Sequence, residues 1–386
     1  MIYLDNHATT RCDDRVVQAM LPWFADEFGN PHSTSHQMGR TAADAIGQAI
    51  AEIAEVLDAS AESVVITSGA TESNNLALRG VCTHPRQKRR HIVTVATEHP
   101  AVLDVANDLK RDGFRVSHVR VDAAGRVDLQ QLADTIDDDT AIVSVMWANN
   151  EVGTVAPMQQ IANLCHDRGA LLHSDATQAV GRIPVNVVQA DVDLLSASAH
   201  KFYGPKGAGL LIVGNGNRRV RLRPMMVGGG QQQGLRCGTM NPAGIVGLAT
   251  ALRIGVADLE PNSKQSASLR DRLWNTLQKA ITPLRLNGPL LDDEDRLAGN
   301  LNITLPAVEG EAWMSATPEV AFSSGSACSS VDARPSHVLT AMGIDESSAR
   351  RSVRFGIGKF NSPDEIDEAS KMLIESYRRL QELTAP

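Results

Sequence analysis

In "SASAHKFYGPKGAG" (196–209) a lysine directly follows a small-residue run that ends the apolar stretch "DVDLLSAS". Such a lysine is either an ordinary surface charge or a desolvated amine. Desolvation and neighbouring cations both disfavour the ammonium form, so a buried Lys201 would offer its free amine as nucleophile and base. Asp175 raises the matching question, because it ends the apolar run "ALLHSD", where an unpaired carboxylate is costly. A cationic ring nitrogen opposite it would remove that cost. The third feature is "TSGATESNN" (67–75), which places glycine and small residues at a helix start. Unpaired N–H groups and the helix dipole there favour an anion such as phosphate. Read alone, "SGAT" is equally a plain helix N-cap. Neither this stretch nor "GPKGAG" matches the nucleotide P-loop pattern.

An amine tether, a carboxylate for a ring nitrogen and a phosphate cradle together match the needs of a pyridoxal cofactor. His99 in "TEHP" could cover the ring face, or be a histidine satisfied near a helix start.

Apolar runs alternate with helical patterns from about residue 63. "SVVIT", "HIVTVA", "FRVSHVRV", "TAIVSVMWA", "ALLHSDA", "DVDLLSAS" and "GAGLLIVG" read as strands, and the segments between most of them have helical periodicity. Continuous Val/Ile/Leu strands alternating with helices predict a mostly parallel sheet covered on both faces. Ligands of such sheets sit outside the carboxyl ends of the strands. Five of those ends carry Ser68–Thr71, Glu98–His99, Asn149–Glu151, Asp175 and His200–Lys201. Beyond about residue 260 come longer polar helices, the strand "LNITL" and a terminal helix from Pro363, which predict a second α/β unit.

The 386 residues suit about two domains, and the net charge of −8 argues against a nucleic-acid coat. The basic runs "RQKRRH" and "NRRVRLR" read as solvated loops. No apolar stretch is long enough to span a bilayer, and the start "MIYLDNHATT" has no basic-then-apolar signal pattern, which predicts a cytoplasmic protein without membrane contact. The five cysteines (12, 82, 165, 237 and 328) are scattered without a CxxC pair, which argues against disulfides and a structural zinc site.

The motifs "TSGATESNN", "TEH", "NNEVG", "DATQ", "SAHKFYGPKG", "SSGSAC" and "RFGIGKF" together resemble those of cysteine desulfurases of the nitrogen-fixation and iron–sulfur-cluster type. The resemblance covers nearly the whole chain. It implies the aminotransferase-like fold (fold type I of the pyridoxal-phosphate enzymes) with a large cofactor domain over 16–258. Residues 1–15 and 259–386 would form a small domain carrying a mobile cysteine loop at about 323–335. Lys201 would tether pyridoxal phosphate, Asp175 would pair with the ring nitrogen, His99 would cover the ring and Gln178 would reach the ring hydroxyl. Ala70, Thr71, Ser198 and His200 would surround the phosphate, joined by Thr239 of "RCGT" from the partner subunit of a homodimer. Asn150 would lie beside cofactor and substrate, and Arg354 would hold the carboxylate of L-cysteine. Cys328 would take the sulfur as a persulfide and pass it to an acceptor protein for iron–sulfur clusters, tRNA or DNA. The resemblance implies no metal site and no direct nucleic-acid binding.

The chain departs from the family pattern at His7, Val227, the glutamines 231–233, Cys237 and Pro318. A selenocysteine lyase, or another pyridoxal-phosphate lyase of this fold, is the enzymatic alternative. An inactive scaffold that recruits sulfur-transfer partners is the alternative outside catalysis.

Overall fold

The structure is a computed structural model that describes residues 1–324 and 335–384. A seven-stranded sheet forms its centre, in the spatial order Val64–Thr67, Gly209–Val213, Leu194–Ser198, Leu171–Asp175, Thr140–Ser144, His91–Val95 and Arg115–Val119. All pairings are parallel except those of Gly209–Val213, which runs antiparallel to both neighbours. Strands such as Thr140–Ser144 and Leu194–Ser198 are buried on both faces, which is why they read as continuous runs of apolar and small residues instead of alternating ones.

Two apolar clusters cover the faces. One holds Val93, Val143, Leu195 and Leu210 against the Gln37–Leu57 helix, whose Ile46, Ala49, Ile53 and Leu57 recur every three or four residues. The other packs Val65, Ile92, Ile142 and Leu211 against the Ala70–Cys82 and Pro100–Leu109 helices.

A second, four-stranded antiparallel sheet runs in the order Ser323–Ser324, Ser352–Gly356, Asn300–Thr304 and Arg285–Asn287. The long helices Leu259–Ala280 and Pro363–Thr384 pack beside it around a separate core. Trp313 is fully buried there, edge-on to Phe322, Phe355 and Tyr377, and its indole nitrogen donates to the Leu373 carbonyl at 2.9 Å. Truncating such a residue to alanine costs roughly 3–5 kcal/mol.

The N-terminus joins this second unit. Ile2–Tyr3 pairs in parallel with Val320–Ala321, and the Asn6 amide donates to the Gly356 carbonyl at 3.0 Å. The chain then crosses to the carboxyl ends of the large sheet's strands, where the Thr10 amide donates to the His200 carbonyl at 2.9 Å.

Candidate active site

The strand ends open into a cavity of about 630 Å³. Its wall includes Ala70 and Thr71 from one strand end, His99 from the next, then Asn150, Asp175, Gln178, Ser198, His200 and Lys201, with Arg354 arriving from the second sheet. Two of the residues given a role toward cofactor, substrate or sulfur are not on this wall, and neither are the strand-end residues Glu98, Asn149 and Glu151. Thr239 is exposed elsewhere, and Cys328 lies outside the described residues.

The anion end is built from backbone. Gly69 occupies the N-cap of the Ala70–Cys82 helix, so no side chain caps the first N–H groups, and they are left for a ligand. Its φ of +152° is one that residues with a Cβ rarely adopt, and the Ser198 hydroxyl lies 3.5 Å from where such a Cβ would stand. Gly209 lets the turn pass, since a Cβ there would sit 2.5 Å from the Gly69 Cα. Ser68 differs from its neighbours, because its amide already donates to Glu72 Oε2 at 2.7 Å. His200 Nδ1 lies 3.0 Å from the Thr9 hydroxyl. Burial, followed by Lys201 and Lys206, holds the His200 imidazole down at about 4, so it meets an anion as a neutral ring at neutral pH.

Lys201 and Asp175 face the same space. The Lys201 amine donates to the carbonyls of Ala8 at 2.6 Å and His7 at 2.9 Å. The Asp175 carboxylate accepts from Asn74 Nδ2 at 2.7 Å and from the Thr177 amide at 3.0 Å. It is buried, and both oxygens are oriented by neutral donors, an arrangement fit to meet a cation. Gln178 is engaged at both ends by one residue, with Oε1 2.9 Å from His7 Nδ1 and Nε2 donating to the His7 carbonyl at 2.9 Å. The carbonyl can only accept, which fixes the amide orientation and puts the imidazole proton on Nδ1.

His99 caps the Pro100–Leu109 helix by accepting the Ala101 amide on Nδ1 at 3.0 Å, and burial lowers its pKa. Capping fixes the ring without taking it out of the cavity wall. Arg354 is 3% exposed, with Nη2 2.8 Å from Asp5 Oδ1 and Nη1 donating to the Asn150 carbonyl at 3.1 Å. Its Nε is buried without a hydrogen-bond partner among the described residues, so the guanidinium keeps a donor in reserve.

Several contributors went unread in the sequence. Asn74 sits three residues after Thr71, on the same helix face, and that spacing was the signal for it. The His7 and Ala8 carbonyls carry no side-chain signal at all. Glu98, named in the sequence only as a strand-end residue, is fully buried beside the site, and burial, then Asp175, holds its carboxyl well above the usual range. Arg182 fastens the lysine turn from behind by donating to the Lys201 carbonyl at 2.9 Å.

The uncapped helix start, the oriented carboxylate and the amine fit a phosphorylated pyridine aldehyde. Comparison with known proteins agrees with that fit. The model of the family "Aminotransferase class-V" matches residues 2–369. The chain belongs to the class-V aminotransferases. This family depends on pyridoxal phosphate. Among curated relatives of this class-V aminotransferase, the cysteine desulfurase IscS of Rickettsia bellii (strain OSU 85-389) is 43% identical over 383 residues, spanning 99% of this chain and 92% of the relative. Among solved structures, a "NifS-like protein" superposes with a TM-score of 0.90 at 36% identity, covering 98% of this chain and 99% of that one. A structure titled "SspA in complex with cysteine" gives 0.82 at 33% identity, covering 94% and 100%. The class-V aminotransferase described here is thus a pyridoxal-phosphate-dependent enzyme similar to cysteine desulfurases along its whole length.

Proposed function

We propose that this enzyme converts L-cysteine to L-alanine in the cavity that Lys201, Asp175 and Arg354 share, and delivers the sulfur to an acceptor protein. One observation carries the reading: the Lys201 amine, the oriented Asp175 carboxylate and the uncapped helix start at Ala70 lie on one cavity wall. Lys201 would tether the cofactor through its amine, Asp175 would face the ring nitrogen, His99 the ring and Gln178 the ring hydroxyl. Ala70, Thr71, Ser198 and His200 would surround the phosphate. When bound, pyridoxal phosphate supplies an electron sink beside the substrate's α-carbon.

The chain's own residues do the rest. Arg354 binds the substrate carboxylate with Asn150 alongside, and the released Lys201 amine takes the α-proton. The Cys328 thiolate attacks the substrate sulfur and keeps it as a persulfide. The electron pair of the broken C–S bond stays with the substrate, whose β-carbon gains a proton as a methyl group while the α-carbon regains one from Lys201, and alanine leaves. The likeness to the cysteine-bound SspA structure supports cysteine as substrate. We place the enzyme in the cytoplasm as a homodimer in which the exposed Thr239 reaches the partner's phosphate. The division between a domain of 16–258 and one of 1–15 plus 259–386 is supported by the apolar core of the second sheet, which draws only on residues of the latter, and by the bend after Ala257.

The test is alanine release from cysteine by the purified enzyme, with selenocysteine run in parallel. Alanine formed only from selenocysteine would replace this reading with the lyase, and alanine from neither would leave the scaffold.

A further inference from the structure

The Val64–Thr67 strand is an edge of the large sheet, so Ile66 presents its N–H and C=O outward. Among the described residues no strand pairs with them. The Gln232 side chain does so instead: its Oε1 accepts the Ile66 amide at 2.6 Å and its Nε2 donates to the Ile66 carbonyl at 2.9 Å. The primary amide satisfies both groups, whereas an ionised carboxylate would set an oxygen against the carbonyl. Nε2 also reaches the Arg236 carbonyl at 3.3 Å. Four residues on, Arg236 Nε donates to Glu72 Oε1 at 2.8 Å, and Glu72 holds the Ser68 amide. The segment thus grips the phosphate turn on both sides, through the strand entering it and the helix leaving it.

The backbone bears the cost of this arrangement. Gln232 and Gln233 have φ of 49° and 57°, a conformation disfavoured without glycine. Such strain persists where surrounding contacts over-determine it.

We propose that Gln232 is a positioning residue for the phosphate: with Arg236 it sets the Ser68–Thr71 turn so that the free helix N–H groups converge on a phosphate monoester. This rests on the reading of the cavity as a pyridoxal phosphate site. Gln232 touches neither cofactor nor substrate in this account and acts through Ile66 and Glu72.

The test compares two ligands that differ only in the phosphate. Dissociation constants for pyridoxal phosphate and for pyridoxal are measured spectroscopically on apoenzyme, for the parent, Gln232→Glu and Glu72→Gln. Gln232→Glu sets a carboxylate against the Ile66 carbonyl, and Glu72→Gln breaks the Arg236 contact from the other side. Each variant should weaken pyridoxal phosphate by about tenfold, as expected for one disrupted buried hydrogen bond, and leave pyridoxal unchanged. Equal weakening of both ligands, or no change in either, overturns the proposal, and so does an effect confined to one variant. A parent that binds pyridoxal phosphate no better than pyridoxal overturns the reading of the cavity itself.

Discussion

The Lys201 amine stands 2.6 Å from the carbonyl oxygen of Ala8, nearly two hundred residues earlier in the chain. Together with the His7 carbonyl, that oxygen fixes the amine on the cavity wall without neutralising it, since carbonyls carry no net charge.

Lys201→Ala should therefore keep the fold while abolishing the visible absorbance of the bound cofactor and lowering alanine formation by at least about 10³-fold. Lys206 lines the same cavity. Should the variant still turn over cysteine, Lys206 becomes the tether, and Lys206→Ala in place of Lys201→Ala would show the loss of colour.

Asp175→Asn should bind some cofactor and lose on the order of 10²-fold in rate, because a neutral amide no longer faces the ring cation. The fold should persist, since Asn74 can turn its unpartnered Oδ1 toward the new amide. Steady-state rates and circular dichroism measured side by side check this, and an unchanged rate would mean that Asp175 has no part in the chemistry.

Glu98 gives a prediction in pH. Burial, then Asp175, holds its carboxyl well above the ordinary value of about 4.5, so the folded protein binds a proton that the unfolded chain releases above that pH. Its contribution to stability is full below about 4.5 and is lost as the pH rises toward the folded value. Glu98→Gln keeps an acceptor for the Met146 amide and removes the titration. Relative to the parent, its Tm should be higher at pH 8 than at pH 5 by at least about 1–2 °C. Equal shifts at both pH values would show that Glu98 is ionised in the folded state.

Sulfur should accumulate on Cys328 and not on Cys237. Cys237 is buried, its Sγ 4.0 Å from the Gly234 carbonyl, in the segment tied down through Gln232 and Arg236. Cys82 and Cys165 are buried, and burial raises the Cys82 thiol to about 12, so neither supplies a thiolate at neutral pH. Cys328→Ser should bind cofactor and cysteine and release no alanine, while Cys237→Ser stays active. Peptide mapping after incubation with cysteine that found the added sulfur on Cys237 would reverse the assignment.

The large sheet was readable because buried parallel strands must be apolar throughout, and each run from "SVVIT" to "GAGLLIVG" lies on an observed strand. The reversed direction of Gly209–Val213 left no trace, since a strand buried on both faces has the same composition either way. Lys201 and Asp175 stood out because a charge closing an apolar run needs a reason. The carbonyls of His7 and Ala8 could not stand out, because every residue has one. "RQKRRH" was read as solvated, yet Arg89 turns back to bond the carbonyls of Thr140, Arg168 and Gly169. Side-chain identity alone does not tell a structural arginine from a solvated one.

The crossing of the N-terminus has a consequence for synthesis. Residues 2–6 are held by Val320, Ala321, Arg354 and Gly356, which a ribosome makes long after them. Until then the stretch bearing His7 and Ala8 has no anchor on that side, although Lys201 emerged long before. A nascent chain therefore holds Lys201 without that anchor while residues 202–319 are being made. The orientation of Lys201 by His7 and Ala8 is thus tied to the docking of a strand made more than a hundred residues after the lysine itself.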